Sequence, residues 1–279
     1  MTTATLDRAA HPAPPSQADG HYGWRSAARM EWLKLRSVRS TAWILLVFAA
    51  GMIGIAILVL SRENWATMSP ADRASFDPTN AGFAGLALGQ LAFGVLGALI
   101  ITSEFSSGMI RATFAAVPRR PLLLAAKAGV LGAVTLVAGE VLAFVTFAVG
   151  EAVLRSPAPH ASLGQPGVLR AVLMAGAYPA LIALIGLGLG AIIRHTAGAI
   201  SAVVGVLFVL PLILVPLGIS LQNSVGRFLP MIIAENSITA VKPQPGTGNL
   251  PPAVGFGLLC LYAVVALAAG GWLLTRRDA

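Results

Sequence analysis

Six stretches of the chain, 41–60, 83–102, 122–149, 169–193, 197–217 and 253–274, are apolar on every face of a helix. The hydrocarbon core of a bilayer is about 30 Å thick, so a helix rising 1.5 Å per residue crosses it in roughly 20 residues. Alternation of apolar and polar positions, the mark of a membrane β-barrel strand, is absent from these runs. The pattern predicts an all-α integral membrane protein with six transmembrane helices.

The polar connections between the runs carry a second pattern. Ahead of the first run, "WRSAARMEWLKLRSVRSTAW" contains no Pro or Gly and predicts a helix. At 100° per residue Trp24, Ala28, Leu35 and Val38 share one face, and Arg25, Arg29, Arg36 and Arg39 share the next. That is the distribution of a helix lying in the membrane interface, its basic side toward lipid heads. A plain basic anchor flanking the first span is the alternative. Glu31 and Lys34 fall within or beside the apolar face, at a spacing that lets them pair with each other or with another segment.

Residues 1–22 are rich in Ala, Pro, Thr and His and are expected to form a disordered cytoplasmic tail, with the transmembrane domain at 23–279. The first apolar run begins too late and is too long for a cleaved signal peptide and reads as a retained signal anchor. The connection at 61–82 is polar and predicts little beyond surface structure, and 156–167 is Pro-rich. The segment 218–252 includes "GRFLPMIIAENSITAV", too short to span and too apolar for a free loop, which predicts a re-entrant or interfacial helix before the last span. Gly85 with Gly89, and Gly186 with Gly190, are small-residue pairs that allow close helix approach. Pro179, Pro211 and Pro216 predict kinks or interruptions.

Composition agrees with the membrane reading: 56% of the 279 residues are hydrophobic and 11% charged, against about 25% charged in soluble domains. Thirteen of the 19 basic residues fall on one side of the predicted topology, which places both termini in the cytoplasm. The net charge of +8 is accounted for by that asymmetry and by attraction to membrane lipid, with no nucleic-acid partner needed. Cys260, the lone cysteine, lies in the last run and reads as a small buried hydrophobe.

Chemistry is sparse. No phosphate-binding loop of the form G-x-x-x-x-G-K-[ST] occurs, since Lys34, Lys127 and Lys242 each follow a residue other than glycine. The histidines are scattered without carboxylate or Cys at ligand spacing, and no G-x-S-x-G elbow occurs. No catalytic, cofactor-binding or metal residue is therefore expected. Glu140 lies deep in the third run and is either a pathway group, protonated in a proton-coupled step, or a structural tie between helices. In "SEFSSGMIRATFAAVPRRP", a helix continued from the second span would place Glu104 and Arg111 on nearly the same face, two turns apart. Arg119 and Arg120 follow Pro118 at the return to the membrane. The whole predicts a polar hairpin suited to docking.

These stretches, "MEWLKLRSVRSTAW" and "SEFSSGMIRATFAAVPRRPLLLAAK", resemble the ABC-2 type permeases, membrane subunits of bacterial ATP-binding cassette exporters. The second resembles the E-[YF]-x-[SG]-G-[MT]-[IL]-R-x-[TS] signature of actinobacterial members. The resemblance implies an elbow helix carrying Glu31, Lys34 and Arg36, and a coupling segment in which Glu104, Arg111, Arg119 and Arg120 contact the ATPase. It implies a P-loop ATPase partner that binds ATP and Mg, no cofactor in this chain, and a second permease chain, identical or different. Efflux of a hydrophobic or amphipathic solute across the bacterial cell membrane is the function it implies. Two alternatives stand beside it: an ion-coupled secondary transporter using Glu140, and a membrane scaffold without transport.

Overall fold

The computed structural model describes residues 23–276 apart from 38, 118, 215, 217–220, 222–223 and 241–248. The expected tail at 1–22, with Pro118, Lys242 and Arg277, lies outside the described residues. Every regular element among the described residues is helical. The expected all-α class with six apolar helices long enough to cross a bilayer is observed.

The amphipathic stretch forms α1 (Trp24–Ser37), followed by the first long helix α2 (Arg39–Arg62). Two short helices, α3 (Pro70–Ser75) and α4 (Pro78–Gly82), occupy the connection read from sequence as surface structure. Each starts at a proline behind a side-chain cap, where the missing N–H has no intrahelical partner to lose. Ser69 accepts from the amide of Asp72, and Asp77 from those of Thr79 and Asn80.

α5 (Leu86–Ser106) is the second span and α6 (Met109–Ala116) a separate short helix beyond it. α7 (Arg120–Val153) has 34 residues. At 1.5 Å per residue it is about 51 Å long, so it extends beyond the hydrocarbon layer. α8 (Val168–Ile193) follows. The fifth span is composite: α9 (Thr196–Val204), a π turn at Gly205–Val209, and α10 (Leu210–Leu214). Pro211 has no N–H to give the preceding turn, and the wider turn beside it takes up the mismatch. After α11 (Pro230–Ser237), a one-span helix α12 (Pro252–Arg276) ends the bundle.

α5 and α8 form the centre, with 56% and 61% of their apolar windows buried, against 22% for α2 and for α12. Small residues bring their backbones together. A Cβ on Gly97 would fall on the Ala183 carbonyl, and one on Gly186 on that of Gly94, so dispersion between backbones replaces side-chain interdigitation here. α7 meets α8 in the same way at Gly139 and Gly176. The outer faces of α2, α7 and α12 carry exposed Val, Leu and Trp, as lipid-facing surfaces do.

At the end opposite α1, distant segments are tied by side chains to backbone. Asp77 also accepts from the amide of Ala240 at 2.6 Å, and Asn80 donates to Thr239 Oγ1 at 2.8 Å. Arg170 donates to the carbonyls of Ser237 and Thr239, at 2.8 and 2.7 Å. The segment holding α11 is thereby seated on α8 and α12 and on the α4 connection.

Candidate functional site

Four charged side chains from three helices meet at the α1 end of the bundle. Glu31 and Lys34 sit one turn apart on α1, Glu104 in the last turn of α5, and Lys127 in the second turn of α7. Lys127 Nζ lies 2.7 Å from Glu31 Oε2 and 2.6 Å from Glu104 Oε1. Lys34 Nζ lies 3.2 Å from Glu31 Oε1 and 2.9 Å from the same Glu104 Oε1. Each ammonium touches both carboxylates, so the cluster is an alternating ring of four charges with no net charge.

Burial makes that balance necessary. Glu31, Glu104 and Lys127 are 4%, 3% and 2% exposed, and an unpaired charge at such a place would cost several kcal/mol. Glu104 is also at the wrong end of its helix, where the partial negative charge of the terminal carbonyls disfavours a carboxylate. Two ammonium groups hold it there. Its second oxygen, Oε2, is buried without a hydrogen-bond partner among the described residues. Lys34, at the rim, is pulled two ways. Burial lowers its pKa, but the hydrogen bond to Glu104 and the two nearby carboxylates together outweigh this and raise it above the ordinary lysine value.

α1 packs on α7 where a glycine of α7 makes room for it. Ala27 is buried, and the Trp24 indole lies 3.0 Å from where a Cβ of Gly129 would stand. Arg36 is exposed on the other side of the helix, away from the ring.

The expectation that Glu104 and Arg111 share a face is corrected. α5 ends at Ser106, and Gly108 adopts the left-handed conformation with φ of 71°. The chain therefore changes direction before α6, and Arg111 is exposed while Glu104 is buried. Arg119 is exposed as well. Arg120 points elsewhere: its Nη1 donates to the Leu274 carbonyl at 2.8 Å, and its guanidinium lies 5.0 Å from the Phe114 ring centre on α6. Arg194 donates to the adjacent Leu273 carbonyl at 2.9 Å and stacks 5.2 Å from Phe105 on α5. Two guanidinium groups thus cap the C-terminal end of α12, where positive charge is favoured, and anchor it beside α5 and α6.

Glu140 is half-buried where α7 crosses α8, with Gly176 so close that a Cβ there would meet its carboxylate. Its Oε2 has no hydrogen-bond partner among the described residues. Among the described residues no three His, Cys, Asp or Glu side chains are grouped as metal ligands.

Sequence reasoning missed Lys127 as a site residue by counting it with the basic flank. Its place inside an apolar run was a usable signal, since an ionisable residue there is costly unless paired. Arg194 gave none, because its role depends on the approach of the last helix.

Six apolar helices long enough to cross a bilayer, packed closely on glycines at their centre and with a ring of buried charge at one end, define a multi-pass membrane protein. A model of the family described as ABC-2 family transporter protein matches residues 27–235, most of the chain, and the protein belongs to that family. It is the permease subunit of an ABC transporter, a kind of membrane subunit that works with an ATP-binding subunit. A comparison with curated proteins found no match.

Proposed function

We propose that this permease exports a hydrophobic or amphipathic solute using ATP hydrolysed by a separate P-loop ATPase chain, with both termini in the cytoplasm. α1 acts as the elbow helix, α6 as the coupling helix, and α11 as a re-entrant cap at the outer end. A second permease chain completes the pathway. The observation that carries this reading is the ring of Glu31, Lys34, Glu104 and Lys127. It joins α1 and α7 to the end of α5, directly above the Gly108 break and the exposed Arg111 of α6.

A push on α6 from an ATPase reaches α5 through two residues of backbone, and α1 and α7 through buried ion pairs. Arg120 and Arg194 carry the same displacement to the end of α12. Because each contact is made by a charged side chain, to a carboxylate, a carbonyl or an aromatic face, it can hold in one packing and re-form in another. Arg111 and Arg119 provide the exposed charge for docking.

The test is affinity purification of the tagged chain from its host membranes, with mass spectrometry of the proteins that accompany it. A P-loop ATPase is expected with the wild type and is expected to be lost from an Arg111→Glu, Arg119→Glu variant that still inserts. Absence of any such ATPase under mild detergent contradicts the reading. Glu140, unpartnered in a span, supports the proton-coupled alternative instead. That alternative predicts transport abolished by a protonophore and maintained when ATP is depleted.

A further inference from the structure

Two features on the outer side of α1 belong together. The first is a ridge. Arg25, Arg29, Trp32 and Arg36 follow one another at spacings of four, three and four residues, which places them on a single helical face, and all four are exposed. α1 has one acidic residue, Glu31, and it is turned the other way into the buried ring. The ridge is therefore wholly cationic, with one indole in its middle.

The second feature is a groove. An open apolar channel of about 680 Å³ runs between α2 and α7, and Trp32 forms its end at α1. Its walls include Leu46 and Ala49 from α2, and Ala133, Val137 and Val141 from α7. From Ala133 to Leu142 the groove follows α7, about 13 Å of helix rise. That is close to the depth of one leaflet, half of the roughly 30 Å hydrocarbon core. Trp43, one turn before Leu46, is 65% exposed beside it, an aromatic at the level where Trp meets the interface.

We infer that this is a site for one anionic phospholipid of the leaflet on which α1 lies. An acyl chain fills the channel, Trp32 covers the glycerol level, and Arg29 and Arg36, on either side of the indole, hold the phosphate. The choice of occupant rests on charge and length together. Guanidinium groups bind phosphate through paired N–H donors. A zwitterionic lipid would bring its own cation to a ridge that has three, and a protein helix seated in the channel would leave those arginines opposite apolar side chains. The lipid would brace α1 against α2 and α7 from outside, while the Glu31 to Lys127 pair ties α1 to α7 from inside.

The experiment is native mass spectrometry of the full chain released from nanodiscs of equal phosphatidylglycerol and phosphatidylcholine, counting retained lipid. Retention of one phosphatidylglycerol at least fivefold over phosphatidylcholine is expected. An Arg29→Gln, Arg36→Gln variant is expected to lose that preference. An Ala138→Phe variant, which fills the groove without touching the ridge, is expected to lose the bound lipid. Arg29 and Arg36 are exposed and Ala138 lines the open groove, and unchanged thermal unfolding of each variant serves as the control. Equal retention of the two lipids by the wild type overturns the proposal. So does lipid binding unchanged by Ala138→Phe, which would reduce the ridge to a diffuse surface attraction, and so does a groove that cross-links to a second copy of the chain while retaining no lipid.

Discussion

The two ends of the bundle are both tied by polar contacts, but of different kinds. At the α1 end four side chains neutralise one another inside the protein, at 2.6 to 3.2 Å. At the opposite end Asp77, Asn80 and Arg170 reach mainly backbone amides and carbonyls within 235–240. A side chain bound to backbone fixes one segment in one place. A ring of paired charges links three helices without regular backbone pairing between them, and its members can exchange partners while staying neutralised. On the function proposed above, the opposite end serves as a seat and the α1 end as the joint on which the ATPase subunit acts.

The largest expected break is at Lys127. Replacing it with Met leaves two buried carboxylates facing the partly exposed Lys34, and such a loss costs about 3–5 kcal/mol, read as a fall in the midpoint of thermal unfolding in detergent. At the other end Arg170→Ala leaves the carbonyls of Ser237 and Thr239 without their donor, at about 1–3 kcal/mol. Its effect is expected to be local: faster hydrogen exchange around α11 with little change in α1. Asp77→Asn keeps much of the helix cap but weakens the charge-assisted bond from the Ala240 amide, at about 1 kcal/mol, measured as faster exchange of the Ala240 amide with little change at 79 and 80.

The smallest effect sharpens the comparison through pH. The pKa of Lys34 is raised in the folded protein, so its contribution is fully present below the ordinary lysine value of 10.5. It is lost as pH rises through the higher folded value. Thermal stability is expected to be unchanged by Lys34 between pH 7 and 9, and a Lys34→Met variant is expected to lose the portion of the decline that begins above that value. A decline between pH 7 and 9 that disappears in the variant would contradict this assignment.

The spans were legible because lipid leaves each of them one solution, a helix apolar all round, and 20 residues is long enough to see it. The amphipathic α1 was legible too, including the misfit of Glu31 and Lys34 on its inner face. What was not legible lies at the ends. The face shared by Glu104 and Arg111 assumed a continuous helix, and one left-handed residue at Gly108 redirected it. The polar connection at 61–82 holds two helices because Ser69 and Asp77 cap helices that begin at prolines, a local signal present in the residues and outweighed by overall polarity. Lys127 and Arg194 became meaningful through contacts with residues 79 to 96 positions away, which no periodicity encodes.

The central claim is that movement entering at α6 reaches α1 through the charge ring. It is tested most directly by hydrogen exchange on the purified permease and its ATPase, with and without ATP and vanadate, in the wild type and in a Glu31→Gln, Lys34→Met variant. That variant removes one acid and one base and leaves Glu104 paired with Lys127. In the wild type, nucleotide is expected to change exchange in α6, α5, α7 and α1 together. In the variant the first three are expected to respond and α1 to stay as it was. An α1 that responds equally in both proteins would contradict the account.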